Sequence, residues 1–183
     1  LPVVWAEARK AVEPLVDKPH PHAILHLGVS KRAASFEVEG RAFNASAPKP
    51  DNAGSIRPSA PLVPGGAAVL SATLSPPTLV RALLASGYAA AVSSDAGRYL
   101  CNAVFYWSLQ HARREGPLVG FIHIPAFGEE TEVRQRIAFA DACAGARILV
   151  RAAALCVLRR ARQEKKAEKA GDRESHGPAT FYS

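Results

Sequence analysis

The chain has 183 residues, 48% of them hydrophobic and 21% charged, with a formal net charge of +7. That length suits one domain with a full core, and the balance of residue types is ordinary for a globular protein. No run of about eighteen apolar residues occurs, and the first residues lack the basic, apolar and small-residue order of a secretory signal, so no membrane partner is expected.

Alternating strand and helix signals run along the chain and place it in the α/β class. Residues 3–17 begin as a strand remnant and become a helix carrying Ala8, Val12 and Val16, in which Pro14 should force a kink or a restart. His22 to Val29 reads as a strand. Phe36 to Asn44 reads as one extended segment with Glu37, Glu39 and Arg41 on a shared face. Ala45 to Gly66, rich in Pro, Ser, Gly and Asn, is a long loop expected to cross near a functional site. Leu70 to Leu74 forms a short strand, and Pro76 to Ser86 a helix with Pro at its start and Gly87 just past its end. Tyr88 to Val92 reads as a buried strand, Ser93 to Gly97 as a turn, and Leu100 to Gln110 as a helix with Val104, Phe105 and Leu109 on one face. A strand over Val119 to Pro125 follows. Two helices, Arg134 to Ala142 and Ala146 to Lys169, close the fold with Ile148, Ala152, Leu155 and Cys156 toward the core. The expected organisation is a single domain over residues 1–170 and a disordered tail over 171–183.

Much of the basic excess lies between Arg159 and Arg173, where Glu164, Glu168 and Asp172 stand at helical spacing from several of the bases. Such pairing describes a solvated helix, and no aromatic residue is present there to stack on single strands, so no nucleic-acid partner is expected. The three cysteines, Cys101, Cys143 and Cys156, are an odd and widely spaced set that fits neither a disulfide scaffold nor a zinc site. A reducing cytoplasm is their natural setting. His20 and His22 have no third metal ligand at useful spacing.

Cys101 falls in the first turn of a helix that follows a strand. Unsatisfied backbone N–H groups there favour a thiolate and can bind an oxyanion during acyl transfer. His123, near the end of a second strand, is the candidate base. About twenty residues separate the two, the spacing of a helix that returns the chain to a neighbouring parallel strand. A carboxylate should orient the imidazole, and Glu39 is the candidate, with Glu37 on the same strand face. Each residue also has a plainer reading: a buried apolar thiol, a core histidine bonded to backbone, and an exposed strand carboxylate.

From its start to about residue 140 the chain resembles the pyroglutamyl peptidases, cysteine peptidases that remove an N-terminal pyroglutamate from peptides. Ser-Asp-Ala-Gly-Arg-Tyr-Leu-Cys-Asn at 94–102 and Gly-Phe-Ile-His-Ile-Pro at 120–125 carry the resemblance. Leu27-Gly28-Val29, resembling a family turn after a strand, Asp51-Asn52, Thr73-Leu74 and the spacing of Glu39 to Asn44 support it. The resemblance implies a phosphorylase/hydrolase-like three-layer α/β/α sandwich around a mostly parallel mixed sheet. It implies Cys101 as nucleophile, His123 as general base and acid, and Glu39 as the residue orienting His123, with no metal or organic cofactor. Peptides beginning with pyroglutamate are the implied substrates, and a homo-oligomer is compatible with the resemblance.

Three departures accompany it. The chain starts at Leu1 without the family's opening strand and Gly-Phe-x-Pro-Phe turn, so it is expected to be a fragment or an N-terminally truncated form lacking one strand and one wall of the pocket. Lys49 stands where the family has Arg, and a point charge does not reproduce a guanidinium's paired hydrogen bonds. Pro14 interrupts the first helix. The alternatives are therefore a catalytically impaired family member, or a thiol hydrolase on the same fold with a different acyl specificity.

Overall fold

The computed structural model describes residues 1–17, 21–112, 116–127 and 137–175, with the side chains of 16–17 and 170–175 left aside. Helix α1 spans Trp5–Asp17 and is continuous through Pro14, without a restart. Its first turn is anchored by a distant carboxylate, because the Trp5 N–H donates to Asp51 Oδ2 at 2.8 Å. An anion at that end also complements the helix dipole. The expected strand remnant is not formed: among the described residues no strand pairs with residues 1–4, and the Val3 and Val4 carbonyls accept from Asn52 and from the first turn of α1.

Strand β1 (Ala23–Ser30) pairs in parallel with β6 (Leu118–Pro125). β2 (Phe36–Glu39) lies antiparallel on the other side of β6, and β5 (Ala90–Ser93) is parallel to β2. The sheet order is thus β1-β6-β2-β5. Two expectations change. The Cys101 helix does not connect neighbouring parallel strands, since β2 separates β5 from β6 and reverses the direction between them. And β5 is an edge strand rather than a buried one, with Val92 51% exposed.

The extended segment 36–44 is broken at Gly40. Beyond it, β3 (Arg41–Phe43) leaves the main sheet and pairs antiparallel with β4 (Val69–Ser71) in a separate ribbon. Gly40 bridges the two sheets, donating to Ser93 O at 2.7 Å and accepting from Ala72 N at 2.9 Å. Arg41 consequently does not share the face of Glu37 and Glu39; its Nε donates to Ser94 O at 2.9 Å.

β6 is buried along nearly its whole length because helices cover both faces. On one face α1 and α3 (Leu100–His111) enclose Trp5, Val12, Phe105, Trp107 and Phe121. On the other, α2 (Pro76–Ala85) and α4 (Phe139–Ser175) enclose Phe36, Leu79, Ile122 and Leu149. Successive strand residues Phe121 and Ile122 therefore serve opposite layers, which is the period of two expressed in a three-layer α/β/α fold. The chain leaves α2 through Gly87 at φ 84°, with the Tyr88 N–H returning to Leu83 O at 3.0 Å, the closing bond of a Schellman turn. α3 is buried on nearly every side, not only along Val104, Phe105 and Leu109.

α4 is one continuous helix where a break between 142 and 146 was expected. The proposed start at Arg134 falls among residues outside those described. Gly145 lies inside α4, and a Cβ there would stand 2.3 Å from the Phe36 ring, so its lack of a side chain lets the helix press onto the sheet. Leu155 points outward at 53% exposure, one turn-step off the core stripe formed by Leu149, Ala152 and Ala153. α4 runs through Ser175; residues 176–183 lie outside the described residues. Among the described residues, no helix is long and apolar enough to cross a membrane.

Candidate active site

Glu39 ends β2, and the antiparallel register sets Glu37 opposite His123 and Glu39 opposite Phe121. The Glu39 and His123 side chains reach each other diagonally, His123 Nδ1 donating to Glu39 Oε1 at 2.7 Å. Glu39 is 1% exposed, and a carboxylate that far from water requires a charged or hydrogen-bonding partner. The imidazole is that partner.

Cys101 is the second residue of α3. Tyr99, at the N-cap, is extended (φ −109°, ψ −165°) and makes no side-chain cap, so no side chain at that position claims the first-turn N–H groups. The preceding turn is made possible by Gly97 at φ 79°. Cys101 lies close enough to the His123 ring to raise its pKa. With Nδ1 committed to Glu39, the Nε2 side of the ring is what remains for the sulfur. Burial alone would push the imidazole pKa down, but the neighbouring Cys101 and the hydrogen-bonded Glu39 carboxylate together raise it to about 9. At neutral pH the ring therefore carries both protons, with the Glu39 carboxylate on its Nδ1 side.

The thiol has little room. A Cβ at position 28 would lie 3.4 Å from Cys101 Sγ and 2.8 Å from Phe121 Cζ. Gly28 sits within β1, paired with His123, and not in a turn after the strand as the sequence suggested. Phe121 in turn packs against His123, with ring centroids 4.9 Å apart.

Asn102, beside Cys101, is fully buried and was not singled out from the sequence. Its amide accepts from Phe43 N at 2.8 Å and donates to Phe43 O and Ala45 O at 2.9 and 3.1 Å. This clamps the start of the long loop to the first turn of α3. The loop is further tied by Ala47 N to Arg98 O at 2.8 Å and by Tyr99 Oη to Pro50 O at 2.9 Å, so it does run beside the site. An Asn next to a helix-start Cys was the available signal, since a polar amide on an otherwise apolar helix must find partners when buried.

A family model described as pyroglutamyl peptidase matches residues 1–155. The chain belongs to the pyroglutamyl peptidase family. It is 35% identical over 133 residues to the pyrrolidone-carboxylate peptidase of Pyrococcus furiosus, covering 71% of this chain and 64% of that enzyme. Against a pyrrolidone-carboxylate peptidase of Pseudomonas fluorescens it is 36% identical over 138 residues, 74% of this chain and 64% of the relative. The chain thus spans just under two thirds of these relatives' length. A crystal structure of the Pyrococcus furiosus pyrrolidone carboxyl peptidase superposes with a TM-score of 0.81 at 28% identity, over 86% of this chain and 80% of that one. A point mutant of that enzyme gives 0.78 at 29% identity, over 84% and 78%.

Against the pyroglutamyl peptidase pattern, the Lys49 departure has a local role: its Nζ stands 4.8 Å from the centroid of the Tyr99 ring, a cation–π contact. Tyr99 itself packs edge-on against Trp5, with centroids 5.7 Å apart. Cys143 and Cys156 are unpaired on α4, Cys156 against the core. His22 is exposed on the approach to β1, and His20 lies outside the described residues.

Proposed function

We propose that this chain is a thiol peptidase that hydrolyses the amide bond after an N-terminal pyroglutamate, with Cys101 as nucleophile, His123 as proton carrier and Glu39 orienting His123. The observation that carries the reading is the buried Glu39–His123 hydrogen bond with Cys101 beside the imidazole at the start of α3. The Cys101 thiolate attacks the carbonyl joining pyroglutamate to the next residue, and first-turn N–H groups of α3 hold the oxyanion. His123, doubly protonated at rest, gives a proton to the leaving amine as the thioester forms. The neutral ring then takes a proton from water, whose oxygen attacks the thioester; pyroglutamate leaves and the thiolate returns. Glu39 holds the imidazole in the required orientation and balances its positive charge through both steps.

Unpaired cysteines and a thiol nucleophile suit a reducing compartment, so a cytoplasmic setting goes with this proposal. The test is release of a fluorophore from a pyroglutamyl amide by the purified chain under reducing conditions. Thiol-dependent turnover, absent in Cys101→Ala, is expected. Turnover that survives Cys101→Ala, or none in the unaltered chain, would overturn the reading.

A further inference from the structure

Glu37 and His123 hold directly opposed positions of the β2–β6 pair, and Glu39 lies two residues along the same face of β2. One ligand atom from each of Glu37, Glu39 and His123 lies within 4.8 Å of the other two. A single ion between them would sit at bonding distance from all three after small side-chain adjustments. The local charge is unbalanced as well. Two carboxylates and the Cys101 sulfur face one imidazole, and among the described residues the recorded ion pairs give Glu39 only His123 and give Glu37 none. A second, independent sign is Glu39 Oε2, which is buried and has no hydrogen-bond partner. An acceptor left bare in the interior is costly, and a cation would satisfy it.

The donor set selects the ion. One imidazole and two carboxylates suit a small borderline-soft divalent ion that accepts ligands of mixed type and fills its fourth position with water. Calcium and magnesium need six or more oxygen ligands or a shell of retained waters, and the imidazole serves neither. We propose that Glu37, Glu39 and His123 bind Zn²⁺, and that the bound ion reversibly shuts off the peptidase by occupying the imidazole that the reaction needs. To coordinate, His123 gives its extra proton to solvent and presents a ring nitrogen to the metal. Glu37 separates this site from simple capture of a metal by a reactive thiol, because it has no part in the proposed hydrolysis. The binding rests on the site's geometry alone, whereas the shut-off rests on the peptidase reading above.

The test is calorimetric titration of zinc chloride into the reduced full chain and into Cys101→Ala, Glu37→Gln and the double variant. Cys101→Ala should still bind one zinc per chain, and adding Glu37→Gln should weaken that binding tenfold or more. No zinc binding, binding abolished by Cys101→Ala alone, or an affinity indifferent to Glu37→Gln would overturn the site. As a check free of any variant's folding, zinc should shift the His123 ring resonances of the unaltered chain in NMR spectra, and unmoved resonances would also overturn it. With a pyroglutamyl amide as substrate, zinc should inhibit and a chelator should restore turnover. Inhibition of Glu37→Gln, measured against its own metal-free rate, should need at least tenfold more zinc. A chain without metal-free turnover would overturn the peptidase reading and with it the shut-off, while the zinc site would stand or fall on the calorimetry.

Discussion

Glu39 and His123 are diagonal neighbours across the antiparallel β2–β6 pair, and His123 Nδ1 donates to Glu39 Oε1 at 2.7 Å while Glu37 holds the position directly opposite the histidine. The carboxylate bonded to the imidazole is thus the more buried of the two. Glu39→Gln should keep a hydrogen bond to the ring but remove the negative charge that supports the imidazolium. The His123 pKa, followed by NMR, should fall from about 9, and turnover should drop by roughly 10²–10⁴-fold, the range in which an orienting group or a general acid–base contributes. An unchanged His123 titration would show that Glu39 does not support its charge.

Cys101→Ala should lower turnover of a pyroglutamyl amide by about 10⁴-fold or more, since removal of a nucleophile leaves only binding and oxyanion stabilisation. Its melting temperature should stay close to that of the unaltered chain, because the thiol is small and only half-buried. Activity and unfolding measured on one preparation separate lost chemistry from lost fold.

Two histidines should shape stability against pH in opposite directions. His123 is raised in the folded chain to about 9 from an ordinary 6.5, so its contribution is full below about pH 6.5 and is lost as pH rises through 9. His26, by contrast, is held down to about 4, chiefly by burial and secondarily by the positive Leu1 amino terminus. It shares a hydrogen bond with Ser108 Oγ at 2.8 Å and stacks on Phe121. Its contribution is present above pH 6.5 and is lost as pH falls toward 4, where only the unfolded chain takes up the proton readily. Thermal melts should therefore decline between pH 6.5 and 4 in the unaltered chain and less steeply in His26→Gln. Identical slopes in the two would refute the assignment.

Asn102→Ala removes three hydrogen bonds and leaves Phe43 N, Phe43 O and Ala45 O without their side-chain partner. A loss of about 2–4 kcal/mol is expected on the scale of a few unmade buried bonds, read by denaturant unfolding. Catalysis should fall too, because the clamp positions the loop against the first turn of α3. Full activity with reduced stability would confine Asn102 to a structural role.

Gly28→Ala places a methyl group 2.8 Å from Phe121 Cζ and 3.4 Å from Cys101 Sγ. The ring must yield, and it packs against His123. The expected outcome is about 1–3 kcal/mol of lost stability, the usual cost of overpacking, together with a fall in kcat. Wild-type kcat in this variant would show that the site tolerates displacement of Phe121.

The α/β alternation, the Pro-started α2 with Gly87 at its end, and the strand, turn and helix that put Cys101 in a first turn were all readable in the chain. They depend on interactions within a few residues: hydrophobic period, caps and the backbone freedom of Gly87 and Gly97. What touches what was decided by pairing between distant segments. The sequence set Glu37 and Glu39 on one strand face and favoured Glu39 only by its spacing to Asn44, and the β2–β6 register made Glu39 the diagonal partner and Glu37 the directly opposed neighbour of His123. Nothing local announced that Gly40 would carry Arg41 into another sheet, or that β5 would become an edge and leave Val92 in solvent. Leu155 has the same apolar character as Leu149, yet the rotation of α4 over Phe36 buries one and exposes the other. Element type follows from short-range chemistry already present in the chain; register, strand order and helix rotation follow from minimising exposed apolar surface over the whole fold, and the diagonal contact of Glu39 with His123 belongs to that second kind.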